Sequence, residues 1–512
     1  MKFAIGTLFL LSSLAFACAE IAVPRIFSDN MVLQADSPLK FWGKSAEGAR
    51  VEVSVSGSRF STRADPRGFW SLRIPPQKAN AVPQDIGFYE NSTLSKTLKN
   101  VLIGEVWIAG GQSNMEYKLK DEKHGKSSNE NADFPMVRFF VQHDRAAALS
   151  PQWDSPKGAG WQVCSPKTAW RFSAVGFYFA RALFKDLNVP VGIVETPYAG
   201  SYMATWMARE DLDGLECFEG ALRKFERENA GYDYEKERQA YAKKLGEYNS
   251  ELKAVKAAGG DVKSVKKPGS PPIARGNMMS NPSLIYNAKI APIAGFAARG
   301  VVWYQGEADA KDGPGAFAPR FEALIRSWRK YFENPDMPFC FVQLPSIDRK
   351  FWDSARLEQA RVAGKMENIA MAVSIDLGEE KDVHPKDKLT IGGRLGDLAL
   401  LKFYGRKSKA DYPSLESAEF KGPKAFLRLK APGSKIEIRG ELRGFEVLVD
   451  GAWEVPQVKA DGGGLLLASS GGRIDAVRYL AKGWAAPDVC VFNERGLPLG
   501  PFMAFRGGAG FK

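Results

Sequence analysis

Three observations predict an α/β domain with a mostly parallel sheet, set between two all-β modules. Between residues 101 and 408, short apolar runs alternate with stretches whose apolar residues recur at helical spacing, the pattern of strand and crossover helix. From 20 to 100, and again from 409 to 512, brief runs of alternating polarity are broken by glycine, proline and aspartate turns. The chain has 512 residues, more than a single core holds, and 45% of them are hydrophobic, enough to fill two or three domains.

Residues 1–19 read as a secretory signal: one lysine, an apolar run, then small residues ending in Ala17, Cys18 and Ala19 before Glu20. Ordinary cleavage is expected, which sends the mature protein to the periplasm or out of the cell. Lipid anchoring through Cys18 is the alternative, with Ala15 standing where an attachment site usually has a leucine-like residue. No other apolar run is long enough to cross a bilayer. In the first β module, VEVSVSG at 51–57 and FWSLRIP at 69–75 are strands. The run 101–109 is a buried strand ending at Gly110 and Gly111, after which Ser113 opens a helix. A strand at 136–142, a helix at 173–187 and a strand at 189–196 follow. Residues 221–268, rich in Lys, Glu, Ala and Tyr, break this rhythm. They predict one long exposed helix or a helical hairpin inserted in the α/β domain, its alternating charges facing solvent. Beyond it come helix 282–290, strand 300–304, helix 317–332, strand 338–344, helix 352–367, strand 371–376 and helix 388–404. The last module carries the strand runs AFLRLK, KIEIRG, GFEVLVD, GLLLAS and AVRYL.

Lys plus Arg number 71 against 59 Asp plus Glu, a formal charge of +12 that could suit an acidic glycan or a membrane surface. Much of the excess lysine lies in the solvated segment 236–268, and no nucleic-acid partner is expected. Apart from Cys18, the cysteines are Cys164, Cys217, Cys340 and Cys490, scattered with no close pair. That is no zinc pattern, and it permits a disulfide without requiring one.

Ser113 sits where a strand gives way to a helix, its hydroxyl at the strand's carboxyl end and its N–H among the unpaired donors of a helix start. It reads as a nucleophile, or as a plain capping serine. A serine attacking a carbonyl near neutral pH needs a base, and the chain has three histidines. His124 lies in a charged stretch and reads as a surface residue, and His143 reads as the end of a strand. His384, in DVHPKDK, occupies the loop between a strand and a helix, at the sheet edge where reactive residues collect in open α/β sheets. It is the expected base. Asp382 could orient its ring, as could Asp376, Glu379, Glu380, Asp387 or Glu307. The cluster WYQGEAD at 303–309 ends another strand at the same edge, where Gln305 could donate to an oxyanion or pair locally with Glu307. Gly200, in PYAGSYMATW, offers a further backbone donor.

Taken together, GQSNM at 111–115, the Gly200 turn, WYQGEAD and DVHPKDK resemble the SGNH hydrolases, and within them the sialate O-acetylesterase family. The likeness spans nearly the whole mature chain, from VPRIFSDNMVLQ at 23–34 to VRYLAKGWAAPDVCVFNERGLPLGPF near the end. It implies a flavodoxin-like three-layer α/β/α domain flanked by β-sandwich-like modules, and a serine-dependent, metal-free ester hydrolysis with no cofactor. It also implies an acetylated carbohydrate as substrate. Carried over by residue, Ser113 is the nucleophile, His384 the base and Asp382 the acid, with Ser113 N–H, Gly200 N–H and the Gln305 side chain at the oxyanion. Gln112, Asn114, Trp303 and Glu307 are expected to contact substrate. Three positions depart from the family pattern. Tyr198-Ala199-Gly200-Ser201 stands where Trp-Gly-Gly-Thr is usual, Asp309 replaces an asparagine, and Lys381 occupies the place three before the histidine where the superfamily has its acid. The expected reaction is removal of acetyl groups from sialic acid, with acetylated plant or algal polysaccharide as the other substrate class. A secreted glycan-binding protein with an inactive central domain is the reading from a different class.

Overall fold

The computed structural model describes residues 21–142, 145–269, 273–462 and 464–508. The expected leader with Cys18, and His143, lie outside the described residues.

The central sheet runs in the order Ile369–Ala372, Phe339–Val342, Gly300–Tyr304, Thr93–Gly111, Val191–Glu195, Phe134–Val141, Gly160–Cys164. Every neighbouring pair is parallel except the last. Gly300–Tyr304 and Val191–Glu195 are buried at every position, as strands covered on both faces must be. Side chains alternate between two cores: Val106 and Ile108 face one, Trp107 and Ala109 the other. Helices Phe317–Tyr331 and Trp352–Lys365 bury Phe321, Trp328, Trp352 and Val362 in the first core. Helices Ala174–Leu187 and Lys388–Tyr404 bury Val175, Phe179, Leu395 and Ala399 in the second. The three-layer domain expected from the sequence is the one observed. Its first parallel strand, Thr93–Gly111, lies between the third and fourth in chain order, so connections leave it in opposite directions and open a crevice at its carboxyl end.

Thr93–Gly111 is 19 residues long. Its first half pairs antiparallel with Asn80–Glu90 in the N-terminal β module, and its second half pairs with Val191–Glu195 and Gly300–Tyr304. The boundary expected at residue 100 thus falls inside a continuous strand. The C-terminal module holds two four-stranded sheets. It docks on the central domain through Arg356, a fully buried guanidinium that donates to the carbonyls of Pro345, Lys482 and Gly483. The insertion is two helices rather than one: helix Glu216–Asn229 buries Phe218 and Leu222, whereas helix Tyr234–Ala257 has no fully buried residue.

Three elements differ from expectation. The strand expected at 371–376 is Ile369–Ala372, because Ser374 Oγ donates to Gln343 O and the chain turns into a short 3-10 helix, Ile375–Leu377. The segment 282–290 ends in a π-helical turn, Tyr286–Ile290, followed by a 3-10 turn containing Pro292, which has no N–H to continue a helix. The antiparallel edge strand Gly160–Cys164 carries too short a pattern to be read in advance. Among the described residues no helix is long and apolar enough to cross a membrane, and the four described cysteines are free thiols.

Candidate active site

The turn that carries Ser113 is shaped by close backbone packing. Gly111 has φ of +127°, and a Cβ there would stand 2.2 Å from Tyr304 O, so only glycine fits. Gln112 N–H donates to Tyr304 O at 3.0 Å, which ties the turn to the neighbouring strand, and the single-turn helix Ser113–Glu116 begins directly after it. Ser113 is left half-buried at the crevice.

His384 reaches this turn from the loop before Lys388–Tyr404. Its Nε2 lies 2.8 Å from Ser113 Oγ across 271 positions of chain, within hydrogen-bonding distance. Burial holds the imidazole below its ordinary value of 6.5, helped by the positive charges of Lys388 and Arg349 and opposed by Asp382. The ring is therefore neutral, with an open nitrogen, over most of the physiological range. Asp382 Oδ1 accepts from the His384 backbone N–H at 2.9 Å and stands 3.6 Å from ring Nδ1, an ion-pair distance rather than a hydrogen bond. The other acids are engaged elsewhere. Asp376 pairs with Arg394, Asp387 caps the helix through Thr390, Glu379 accepts from Lys386 N–H, and Glu307 accepts from Asn114. Glu380 forms no ion pair with His384, so Asp382 is the carboxylate beside the ring.

Beside the serine, the turn after Val191–Glu195 is pinned along its length. Tyr198 N–H donates to Gly111 O at 2.9 Å and Ala199 N–H to Glu116 Oε2 at 2.7 Å. Gly200 adopts φ of +74°, where a Cβ would also meet Met279 Sδ at 2.7 Å. The N–H groups of Ser113 and Gly200 donate to no protein acceptor among the described residues and are free for an oxyanion. Gln305 is not. Its Nε2 donates to Ser201 O at 3.1 Å and to Asp309 Oδ2 at 2.6 Å, so both amide hydrogens are spent. The expectation of a third donor from Gln305 is corrected. Asp309, where the family pattern has an asparagine, is what holds that amide away. Asp309 is buried and raised to about 6 by desolvation.

The four expected substrate contacts are also corrected, because all are buried beneath the crevice. Trp303 is 1% exposed and packs edge-on against Trp206 and Trp328, ring centres 5.5 Å apart in both pairs. Gln112 is buried and accepts from Ala308 N–H. Asn114 Nδ2 donates to Glu307 Oε1 at 2.5 Å and to Val383 O at 2.9 Å, so Asn114 and Glu307 bind each other rather than a ligand. Under them lies a residue the sequence reading missed, Lys388, whose Nζ donates to Asn114 Oδ1 at 2.5 Å. The available signal was its position: a lysine opening a helix stands at the positive end of the dipole and needs another reason to be there.

The fold, with a serine and a histidine meeting at the switch point of its sheet, is that of the SGNH-type hydrolases, and the comparisons with known proteins make it a carbohydrate esterase. Residues 273–399 match the family model described as carbohydrate esterase, sialic acid-specific acetylesterase. The chain is 27% identical over 422 residues to mouse sialate O-acetylesterase, covering 75% of this chain and 73% of that protein. It is 26% identical over 443 residues to the human sialate O-acetylesterase, covering 78% and 75%. The crystal structure of a carbohydrate acetylesterase from Xanthomonas citri superposes with a TM-score of 0.77 at 27% identity, over 95% of this chain and all of that one. Over about three quarters of its length the chain is thus similar to sialate O-acetylesterases.

Proposed function

We propose that this chain is a secreted serine esterase that removes O-acetyl groups from sialic acid through an acetyl-enzyme on Ser113. The observation that carries the reading is the 2.8 Å approach of His384 Nε2 to Ser113 Oγ. His384 takes the hydroxyl proton as Ser113 Oγ attacks the acetyl carbon. The carbonyl oxygen becomes an oxyanion facing Ser113 N–H and Gly200 N–H. As the tetrahedral intermediate collapses, His384 returns its proton to the departing sugar oxygen and leaves the acetyl group on Ser113. Water, deprotonated by the same imidazole, then releases acetate. Asp382 supplies negative charge beside Nδ1 when the imidazolium forms.

The substrate assignment is supported by the family model and the mammalian relatives, each named for sialate or sialic acid. Acetate release from 9-O-acetyl sialic acid and from acetylated plant polysaccharide, by wild type and Ser113→Ala, tests it. Preferred turnover of the sialic acid, abolished in the variant, is expected. Preference for the polysaccharide would move the enzyme to that substrate class, and activity surviving in Ser113→Ala would remove the serine mechanism. Secretion rests on residues 1–19, and a mature mass that begins at Glu20 is expected from the exported protein. A lipid-modified Cys18 would replace release by anchoring.

A further inference from the structure

Beneath the Ser113 and His384 pair lies a polar cluster that none of these hydrolytic steps uses. Lys388 is fully buried and is the first residue of helix Lys388–Tyr404, so its charge is opposed both by desolvation and by the helix dipole. Its Nζ donates to Asn114 Oδ1 and lies 4.9 Å from the centre of the Tyr117 ring and 5.4 Å from that of Tyr304. Asn114 in turn donates to Glu307 Oε1 and Val383 O. One amide therefore joins the neighbour of the nucleophile, the turn after Gly300–Tyr304 and the residue just before the base. The imidazole packs on the same phenol as the ammonium, the rings of Tyr117 and His384 being 6.3 Å apart.

We propose that Lys388 is a positioning residue for this esterase: through Asn114 it holds the Ser113 turn and the His384 loop in register. Its ammonium faces the same Tyr117 ring as the imidazole, and its positive charge also disfavours a proton on that imidazole. The inference rests on the Ser113 and His384 reading above. The charged and titratable groups around His384 are Asp382 on its own loop, Lys388 on the following helix, Arg349 from the segment after Phe339–Val342, and the Tyr117 phenol. Those around Lys388 are the carboxylates of Glu307, Asp382, Glu379 and Glu122, the phenols of Tyr117 and Tyr304, and His384 itself. Burial brings Lys388 down to about 7, so it is charged in the acid range where His384 titrates. A lysine with only a packing role would leave that titration where it is.

The test is the pH profile of kcat/KM on 4-nitrophenyl acetate for wild type, Lys388→Met and Lys388→Gln, with the histidine rings titrated by NMR in parallel. With three histidines in the chain, that second readout needs no turnover. The wild-type acid limb and ring titration are expected below 6.5, the ordinary imidazole value. In Lys388→Met both move to higher pH, and kcat falls about 10- to 100-fold with KM little changed, the effect of a small misplacement of reacting groups. Lys388→Gln, which keeps an amide donor for Asn114, restores part of kcat but not the acid limb. Wild-type titration at or above the ordinary value, or a Lys388→Met or Lys388→Gln variant that titrates as wild type does, would overturn the proposal. Failure of the hydrolase reading is told apart by a wild type inert toward the ester, or by an active Ser113→Ala.

Discussion

The rim and the floor of the crevice are built from neighbouring residues yet obey opposite rules. At the rim, Ser113 is half-buried, and the side chains of His384 and Asp382 are 35% and 45% exposed. Their contacts are few, and the acid sits 3.6 Å from the ring. On the floor, Asn114, Glu307, Gln305, Asp309 and Lys388 are all buried and hydrogen-bonded to protein neighbours, with only Gln305 Oε1 and Glu307 Oε2 left unpaired among them. Ser113 and Asn114 are consecutive in the chain, but one side chain stands at the crevice and the other is bound to protein. Polar residues next to a nucleophile in sequence are therefore as apt to be its foundation as its binding site.

Substitutions can sharpen or break this division. The largest effect is expected from His384→Gln, which removes the proton acceptor at the rim: kcat/KM for an acetyl ester should fall by roughly 10⁴-fold with the melting temperature nearly unchanged. Gly200→Ala comes next. It strains a φ of +74° and pushes Met279 away, displacing one oxyanion donor, and should cost about 100-fold in kcat. Asp382→Asn should lower kcat only about 10-fold, because a half-exposed carboxylate at ion-pair distance is screened by water. A loss as large as that of His384→Gln would mean that the acid closes onto the ring during the reaction. Trp303→Ala is the converse case. It should destabilise the fold by about 3–5 kcal/mol in denaturant titration, while the folded fraction keeps its kcat. A selective rise in KM there would return Trp303 to the binding surface. The acid limb of kcat/KM should lie below 6.5, since a base whose proton affinity is lowered stays available further into acid.

What could be read in advance follows the same division. Ser113 was visible because an apolar strand runs into two glycines, and His384 because few histidines compete with it and it sits between strand and helix. The layered domain was visible because parallel strands covered on both faces leave uninterrupted apolar runs. Gln305 was misjudged because the direction of an amide depends on its acceptors, and one of these, Asp309, is among the positions at which the chain departs from the pattern it resembles. Lys388 stayed hidden because burial of a lysine is decided by elements from three distant parts of the chain. The choice among six carboxylates was likewise a matter of loop geometry, which local pattern does not encode.

The long strand Thr93–Gly111 has a mechanical consequence. It begins as an edge of the N-terminal module and ends two residues before Ser113, so a single beam bears on both parts. Neither part can swing or melt without dragging on the other. Heating should dismantle them in one transition, and cutting away the leading module should cripple the esterase by releasing the far end of the beam that carries its serine.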